Sequence, residues 1–221
     1  KNRSKTINLE YALAEIQHPH LIPEKSYQVS LPTYIAESFN YNSKYTSTME
    51  PENHIYPEDE KNVTVRVKKL LNKIVNETIA IQNNDHVLDI GCGTGNLVRN
   101  LSSQVSDAYI EGVDFSPSMA SIARRKNKKL ISKGRVNIVE GEFNTLTHQN
   151  KSFDKVCCVN TIYFWPSPEI TAQKISKILK PGGFVVIAFE DIQQLKQRNL
   201  NPDVFCLYTT EKVKDLLSKS G

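Results

Sequence analysis

The chain has 221 residues, 39% of them hydrophobic and 24% charged; that is length for one or two domains and a real core, and it excludes wholesale disorder. No run of about 18 apolar residues occurs, which excludes a membrane-spanning helix, and four cysteines without a CxxC pair (Cys92, Cys157, Cys158, Cys206) exclude a disulfide scaffold or zinc ribbon. The net charge of +4 is uneven: residues 1–60 hold five basic and nine acidic side chains, whereas residues 61–221 hold 23 and 15, a surplus of +8 that raises the question of nucleic acid.

Residues 1–60 begin with Ile7, Leu9, Tyr11, Leu13 and Ile16, enough for a short helix. They are then broken by Pro19, Pro23, Pro32, Pro51 and Pro57. Six aromatics (Tyr27, Tyr34, Phe39, Tyr41, Tyr45, Tyr56) crowd into 30 residues, which predicts a segment that packs on something. From residue 61 the pattern changes. Val63, Val67, Leu70, Leu71, Ile74 and Thr78 predict a helix, preceded by the acids Glu58, Asp59 and Glu60 that suit its N-terminus. Five short apolar runs then read as buried strands: His86–Ile90, Ala108–Asp114, Val136–Glu140, Lys155–Val159 and Phe184–Phe189. Between them, Ser116-Pro117 and Ser167-Pro168 place a capping residue before a proline at a helix start. Lys180-Pro181-Gly182-Gly183 predicts a helix stop and a turn into the last strand. Such alternation implies a parallel sheet with right-handed crossovers.

The most informative stretch is Val87-Leu88-Asp89-Ile90-Gly91-Cys92-Gly93-Thr94-Gly95-Asn96, a buried strand running through three glycines into a helix. Glycine lets the backbone turn sharply and approach a ligand, and the helix start offers free N–H groups. The spacing is GxGxG, not the GxGxxG of dinucleotide loops, and an acid stands two residues before the first glycine. A pyrophosphate would not welcome Asp89; a ligand with a cationic end would. S-adenosylmethionine, with a sulfonium and an ammonium beside one carboxylate, fits. Asp114, 19 residues after Gly95 at the end of the second strand, is placed to hold both ribose hydroxyls.

With these residues in place, the chain from about 61 to 221 resembles a class I S-adenosylmethionine-dependent methyltransferase, of the group that acts largely on small molecules. Further segments match in order: Val139-Glu140-Gly141-Glu142-Phe143, with Glu where the family usually has Asp; Phe153-Asp154-Lys155-Val156 through Asn160; and Leu179-Lys180-Pro181-Gly182-Gly183. The resemblance implies an α/β, Rossmann-like, doubly wound and mainly parallel sheet flanked by helices. It implies S-adenosylmethionine as cofactor, S-adenosylhomocysteine as its product, and no metal. Asp89, Gly91, Cys92, Gly93, Gly95 and Asn96 would surround the methionine end. Asp114 and Phe115 would hold the ribose side, Glu142 and Phe143 the adenine, and Asn160 would contribute from the fourth strand.

The acceptor side is less legible. Asn160-Thr161-Ile162-Tyr163-Phe164-Trp165-Pro166 follows the fourth strand at the sheet's carboxyl end, where Tyr163 and Trp165 are candidates to wall the acceptor; Phe164 and Trp165 could instead pack the next helix. Base-methylating enzymes place Asn-Pro-Pro-Tyr here, and Thr161 and Ile162 replace both prolines, which speaks against a flipped base. His148, in a polar loop, and His18, His20 and His54 read as solvated. The run Arg124, Arg125, Lys126, Lys128, Lys129, Lys133, Arg135 reads as the solvated face of the helix after Asp114, without the interleaved aromatics of a single-strand binder. By analogy residues 1–60 form a cap, with Tyr34, Tyr41 and Tyr45 toward the acceptor, and residues 61–221 the catalytic domain. The family usually closes its sheet with an antiparallel hairpin after the helix resembling residues 210–220. This chain ends at Gly221, so that hairpin is cut, disordered or absent. The expectation is a cytoplasmic monomer or homodimer that methylates a small molecule, with no membrane and no nucleic acid as partners. The rivals are a methyltransferase acting on protein or nucleic acid, and a cofactor-binding module without turnover.

Overall fold

The computed structural model describes residues 72–195 and 205–220. The expectations placed on residues 1–60, including the cap with Tyr34, Tyr41 and Tyr45 and the histidines 18, 20 and 54, lie outside them. So does the first part of the helix that the pattern from Val63 predicts.

Helix α1 covers residues 72–79 and buries Ile74, Val75 and Ile79. Then strands and helices alternate: β1 (His86–Ile90), α2 (Asn96–Gln104), β2 (Tyr109–Asp114), α3 (Pro117–Lys126), α4 (Lys128–Ser132), β3 (Val136–Glu140), β4 (Phe153–Val159), a 3-10 turn (Ile162–Phe164), α5 (Pro168–Ile178), β5 (Leu179–Ala188), α6 (Ile192–Leu195) and α7 (Thr210–Ser218). The five strands form one sheet in the order β3-β2-β1-β4-β5, and every pairing is parallel. Successive side chains of each strand enter opposite cores. Val87, Ile110 and Ile138 meet α1, α2 and α3 through Val75, Leu97, Leu101 and Ala123. Leu88, Val113 and Val156 meet α5 and α7 through Ile175, Ile178 and Val213. Burial on both faces explains why these strands read as continuous apolar runs rather than alternating ones.

The chain runs outward from β1 through β2 to β3, then crosses back to β4 and β5. The strand order therefore reverses between β1 and β4, and the crevice beyond their carboxyl ends is where such sheets bind ligands. The loop after β1 and the loop after β4 both open there.

Three local expectations change. Lys180-Pro181-Gly182-Gly183 does not separate helix from strand; β5 starts at Leu179, paired with Phe153, and the four residues form an irregularity before Phe184 pairs with Lys155. Gly182 there has φ 83°, and a Cβ at Gly183 would stand 2.8 Å from the Asp154 carbonyl oxygen. β4 begins two residues earlier than its apolar run, at Phe153, because Asp154 faces outward to Lys180 at 2.6 Å. Ser116 caps α3 with its hydroxyl, which accepts the Met119 N–H, but Ser167 serves α5 with its carbonyl, which accepts the Thr171 N–H at 3.0 Å.

Candidate functional site

The three glycines of the first loop have different duties. All lie in the left-handed region, with φ of 72°, 54° and 72° at Gly91, Gly93 and Gly95, which strains any other residue. A Cβ at Gly91 would come within 2.2 Å of Thr161 Cγ2, so this glycine lets the loops after β1 and β4 touch. A Cβ at Gly95 would meet Asn127 Nδ2 at 2.5 Å and Ala123 Cβ at 3.0 Å, so this one seats the loop on α3. A Cβ at Gly93 would meet nothing within 4 Å. The loop is open at Gly93, which leaves room for a ligand beside its backbone.

Asp89 is 2% exposed and stands in register with Cys157 of β4, whose thiol donates to its Oδ1 at 3.7 Å. Burial lifts its carboxyl from the ordinary 3.8 to about 7; the thiol hydrogen bond opposes the rise and the nearby Asp114 charge adds to it. The ion pairs of the described residues lie elsewhere. A cationic ligand end would supply the missing counter-charge. Burial likewise pushes the thiols of Cys92 and Cys157 far up and that of Cys158 up to about 12, so none is a thiolate nucleophile.

Asp114 is 6% exposed at the end of β2. Its Oδ2 accepts the Gly93 N–H at 2.7 Å and its Oδ1 the Ser116 N–H at 2.9 Å. A carboxylate accepts about four hydrogen bonds, so each oxygen keeps room for a hydroxyl donor beside the open face of Gly93. The observed donor set therefore fits a ribose. Phe115, next in sequence, is 67% exposed and free to lie against a flat ring. Asn96 opens α2, and its Oδ1 accepts from Lys126 at 3.2 Å.

Two expected positions turn inward. Cys92 packs its thiol against Gly112, donates its N–H to the Val113 carbonyl and accepts the Gly95 N–H on its own carbonyl, so it shapes the loop rather than facing a ligand. Phe143 is buried in the core on the α5 side, near His148 and Lys174. Glu142 beside it remains half-buried, with Oε1 accepting the Asn144 N–H at 3.1 Å and its carbonyl starting the turn that follows. The Gly141 N–H donates to the Asp114 carbonyl at 2.9 Å, which ties this turn to the acid of β2.

The loop after β4 departs from expectation. Asn160 is in place, with φ 54° and its N–H on the Ala188 carbonyl at 2.8 Å. Tyr163, however, is 4% exposed; its hydroxyl donates to the Glu190 carbonyl at 3.0 Å and lies 3.3 Å from Asn160 Oδ1. Trp165 is buried in the α5-side core. Neither wall of the expected acceptor pocket is presented. The 3-10 turn rotates the alternate ring outward, so Phe164 is 42% exposed and packs against Phe205 at 5.0 Å between centroids.

Two readings of the surface also change. His148 is not solvated: its Nε2 lies 2.9 Å from Glu111 Oε1, with the side chain 7% exposed between Phe143 and Phe153. Within the basic run Arg124, Arg125, Lys126, Lys128, Lys129 and Lys133 are exposed, but Arg135 folds inward and donates to the Ser102 carbonyl at 2.7 Å, closing the end of α2. No group of three metal-ligating side chains occurs among the described residues. No described helix is long and apolar enough to cross a membrane.

Sequence reasoning passed over Asn127, buried between α3 and α4, whose Nδ2 donates to the Gly95 and Ala123 carbonyls at 3.1 and 2.9 Å. It sits inside a basic run and gives no signal of its own. Cys157, as partner of Asp89, was equally silent.

Set beside known proteins, residues 87–183 match the family model described as a methyltransferase domain. An O-methyltransferase of Pyrenophora dematioidea is 26% identical over 143 residues, covering 62% of this chain and 53% of that protein. A demethylmenaquinone methyltransferase of Staphylococcus aureus is 30% identical over 119 residues, covering 53% and 48%. The chain thus spans about half the length of these curated relatives. Among solved structures, phosphoethanolamine N-methyltransferase 2 of Haemonchus contortus in complex with S-adenosyl-L-methionine aligns with a TM-score of 0.59 at 23% identity over 68% of this chain and 36% of that one, a likeness of fold.

Proposed function

We propose that the chain carries a class I methyltransferase domain, which the match of residues 87–183 to a methyltransferase-domain model supports, and that it transfers a methyl group from S-adenosylmethionine to a small molecule by in-line displacement. The observation that supports the cofactor most is the bond from the Gly93 N–H to Asp114 Oδ2 at 2.7 Å. It joins the open glycine of the first loop and the acid of β2 in one site, at the point where the strand order reverses. The names of the relatives, an O-methyltransferase and a demethylmenaquinone methyltransferase, support a small-molecule acceptor.

When bound, S-adenosylmethionine supplies a methyl group on a sulfonium, and the leaving thioether is neutral. The chain's own work is to bind, orient and exclude water. Asp89 holds the cationic methionine end as an ionised carboxylate. The N–H groups at the start of α2, which has no acid in its first turn, face the methionine carboxylate. Asp114 takes the ribose hydroxyls and Glu142 the adenine edge, with Phe115 lying over a ring. Asn160 borders the crevice from the β4 side. The two described histidines are committed elsewhere: His148 to Glu111, and His86 to the Ser152 carbonyl at 3.0 Å, at the start of β1 and so at the far end of the sheet from the loop. The proton of an acceptor hydroxyl therefore leaves to a group other than these two.

The test is a methyl-transfer screen against pooled metabolites such as phenols, quinols and small amines, read by S-adenosylhomocysteine release and repeated as salt is raised from 50 to about 300 mM. Release with at least one pool, insensitive to salt, is the expected result. Release only with nucleic acid, falling steeply with salt, would contradict it, and binding without any release would point to a module that lacks turnover.

A further inference from the structure

Lys174 lies on α5, outside every position the motifs single out. Its ammonium donates to the carbonyls of Phe143, Asn144 and Leu146, the Asn144 bond being 3.2 Å. It also stands 4.6 Å from the centre of the Phe143 ring, a cation–π distance. An ammonium has three donors, and here all three are used on one turn. Burial lowers the lysine from its ordinary value, and the Glu142 charge opposes that fall. Three residues earlier on the same helix face, Thr171 Oγ1 accepts from Asn144 Nδ2 at 2.9 Å. Within the turn, the Glu142 carbonyl accepts the Thr145 and Leu146 N–H groups at 3.0 and 3.3 Å, and its carboxylate accepts the Asn144 N–H. The turn that contains Glu142 is thus held by one charged and one hydroxyl side chain of α5.

We propose that Lys174 is a positioning residue for the adenine side of the cofactor site. By gathering the three carbonyls to itself, it fixes the turn so that the Glu142 carboxylate faces the crevice. This rests on the reading of Glu142 as the adenine acid. An ionised carboxylate only accepts hydrogen bonds. It therefore favours a purine with an amino group at position 6 over one with a carbonyl there, provided the turn holds it in place. Without the clamp the turn loosens and the discrimination fades, because a mobile acceptor can withdraw from a carbonyl as readily as it approaches an amine.

The experiment is calorimetric binding of S-adenosylhomocysteine and S-inosylhomocysteine to the wild type, Lys174→Met and Lys174→Arg, well below each melting temperature. The wild type binds the adenosyl compound about tenfold or more tightly, one hydrogen bond's worth. Lys174→Met brings the ratio close to one, and Lys174→Arg, which keeps charge and donors, retains most of it. A merely structural lysine would weaken both ligands equally and leave the ratio intact; that result overturns the proposal while the cofactor reading stands. If the wild type binds both compounds equally well, Glu142 is not the adenine acid and the proposal falls with it. If Lys174→Met does not melt cooperatively, Lys174→Gln, which removes the charge and keeps two of the three N–H donors, is read in its place by the same ratio, expected to fall below that of the wild type.

Discussion

Among the described residues, the donor to the Asp89 carboxylate is the thiol of Cys157. A carboxylate in that setting holds its proton to about pH 7 in the folded chain, whereas in the unfolded chain it gives the proton up near 3.8. Between these values the folded state binds the extra proton, so this group makes stability fall as pH rises from about 4 to 7, with no further change above about 8. Ligand binding has the opposite slope, since a cationic end prefers the ionised acid. Asp89→Asn should therefore abolish the decline in melting temperature between pH 5 and 8. It should also weaken S-adenosylmethionine at pH 8 by about ten- to a hundredfold, the loss of a charge-assisted bond. Melting curves and calorimetry across pH check both, and a variant with the wild-type pH slope would contradict the assignment. The acids were legible in the sequence because their type and spacing are unusual beside glycines. Lys174 and Asn127 were not, because a lysine on a helix or an asparagine in a basic run looks the same whether it faces water or a neighbour's carbonyl.

At the scale of elements, the loop after β1 separates a folding role from a binding role within five residues. Gly95 is closed in by Ala123 and Asn127 of the α3–α4 region, whereas Gly93 opens to the crevice. Gly93→Ala should cost only the left-handed backbone penalty, roughly 1–2 kcal/mol, or a few degrees of melting temperature, yet abolish cofactor binding. Gly95→Ala adds a clash with the Asn127 amide and should cost about 3 kcal/mol or more, because it also displaces the two hydrogen bonds made by that side chain. Equal losses of stability in the two variants, measured by denaturant melts, would show that the loop is not divided in this way. Strand positions were readable because burial on both faces leaves uninterrupted apolar runs. The orientation of the aromatics after β4 was not readable, because three adjacent aromatics do not say which of them a 3-10 turn will rotate outward. Phe164 took that place, and the core took Tyr163 and Trp165.

For the molecule as a whole, part of the positive charge of residues 61–221 lies on exposed positions of α3 and α4, with Arg124 paired to Glu140 at 3.4 Å and Arg135 drawn inward. The candidate site is assembled elsewhere, from the ends of β1, β2, β3 and β4, which the order β3-β2-β1-β4-β5 brings together. In the proposed function these ends form one site for S-adenosylmethionine. This is tested most directly by calorimetry of S-adenosylmethionine and S-adenosylhomocysteine against the wild type and Asp114→Ala, with melting curves as control. The wild type is expected to bind both, and Asp114→Ala to melt cooperatively while binding each at least tenfold more weakly. Binding of neither compound by the wild type, or binding by Asp114→Ala that equals it, would show that these ends do not form such a site.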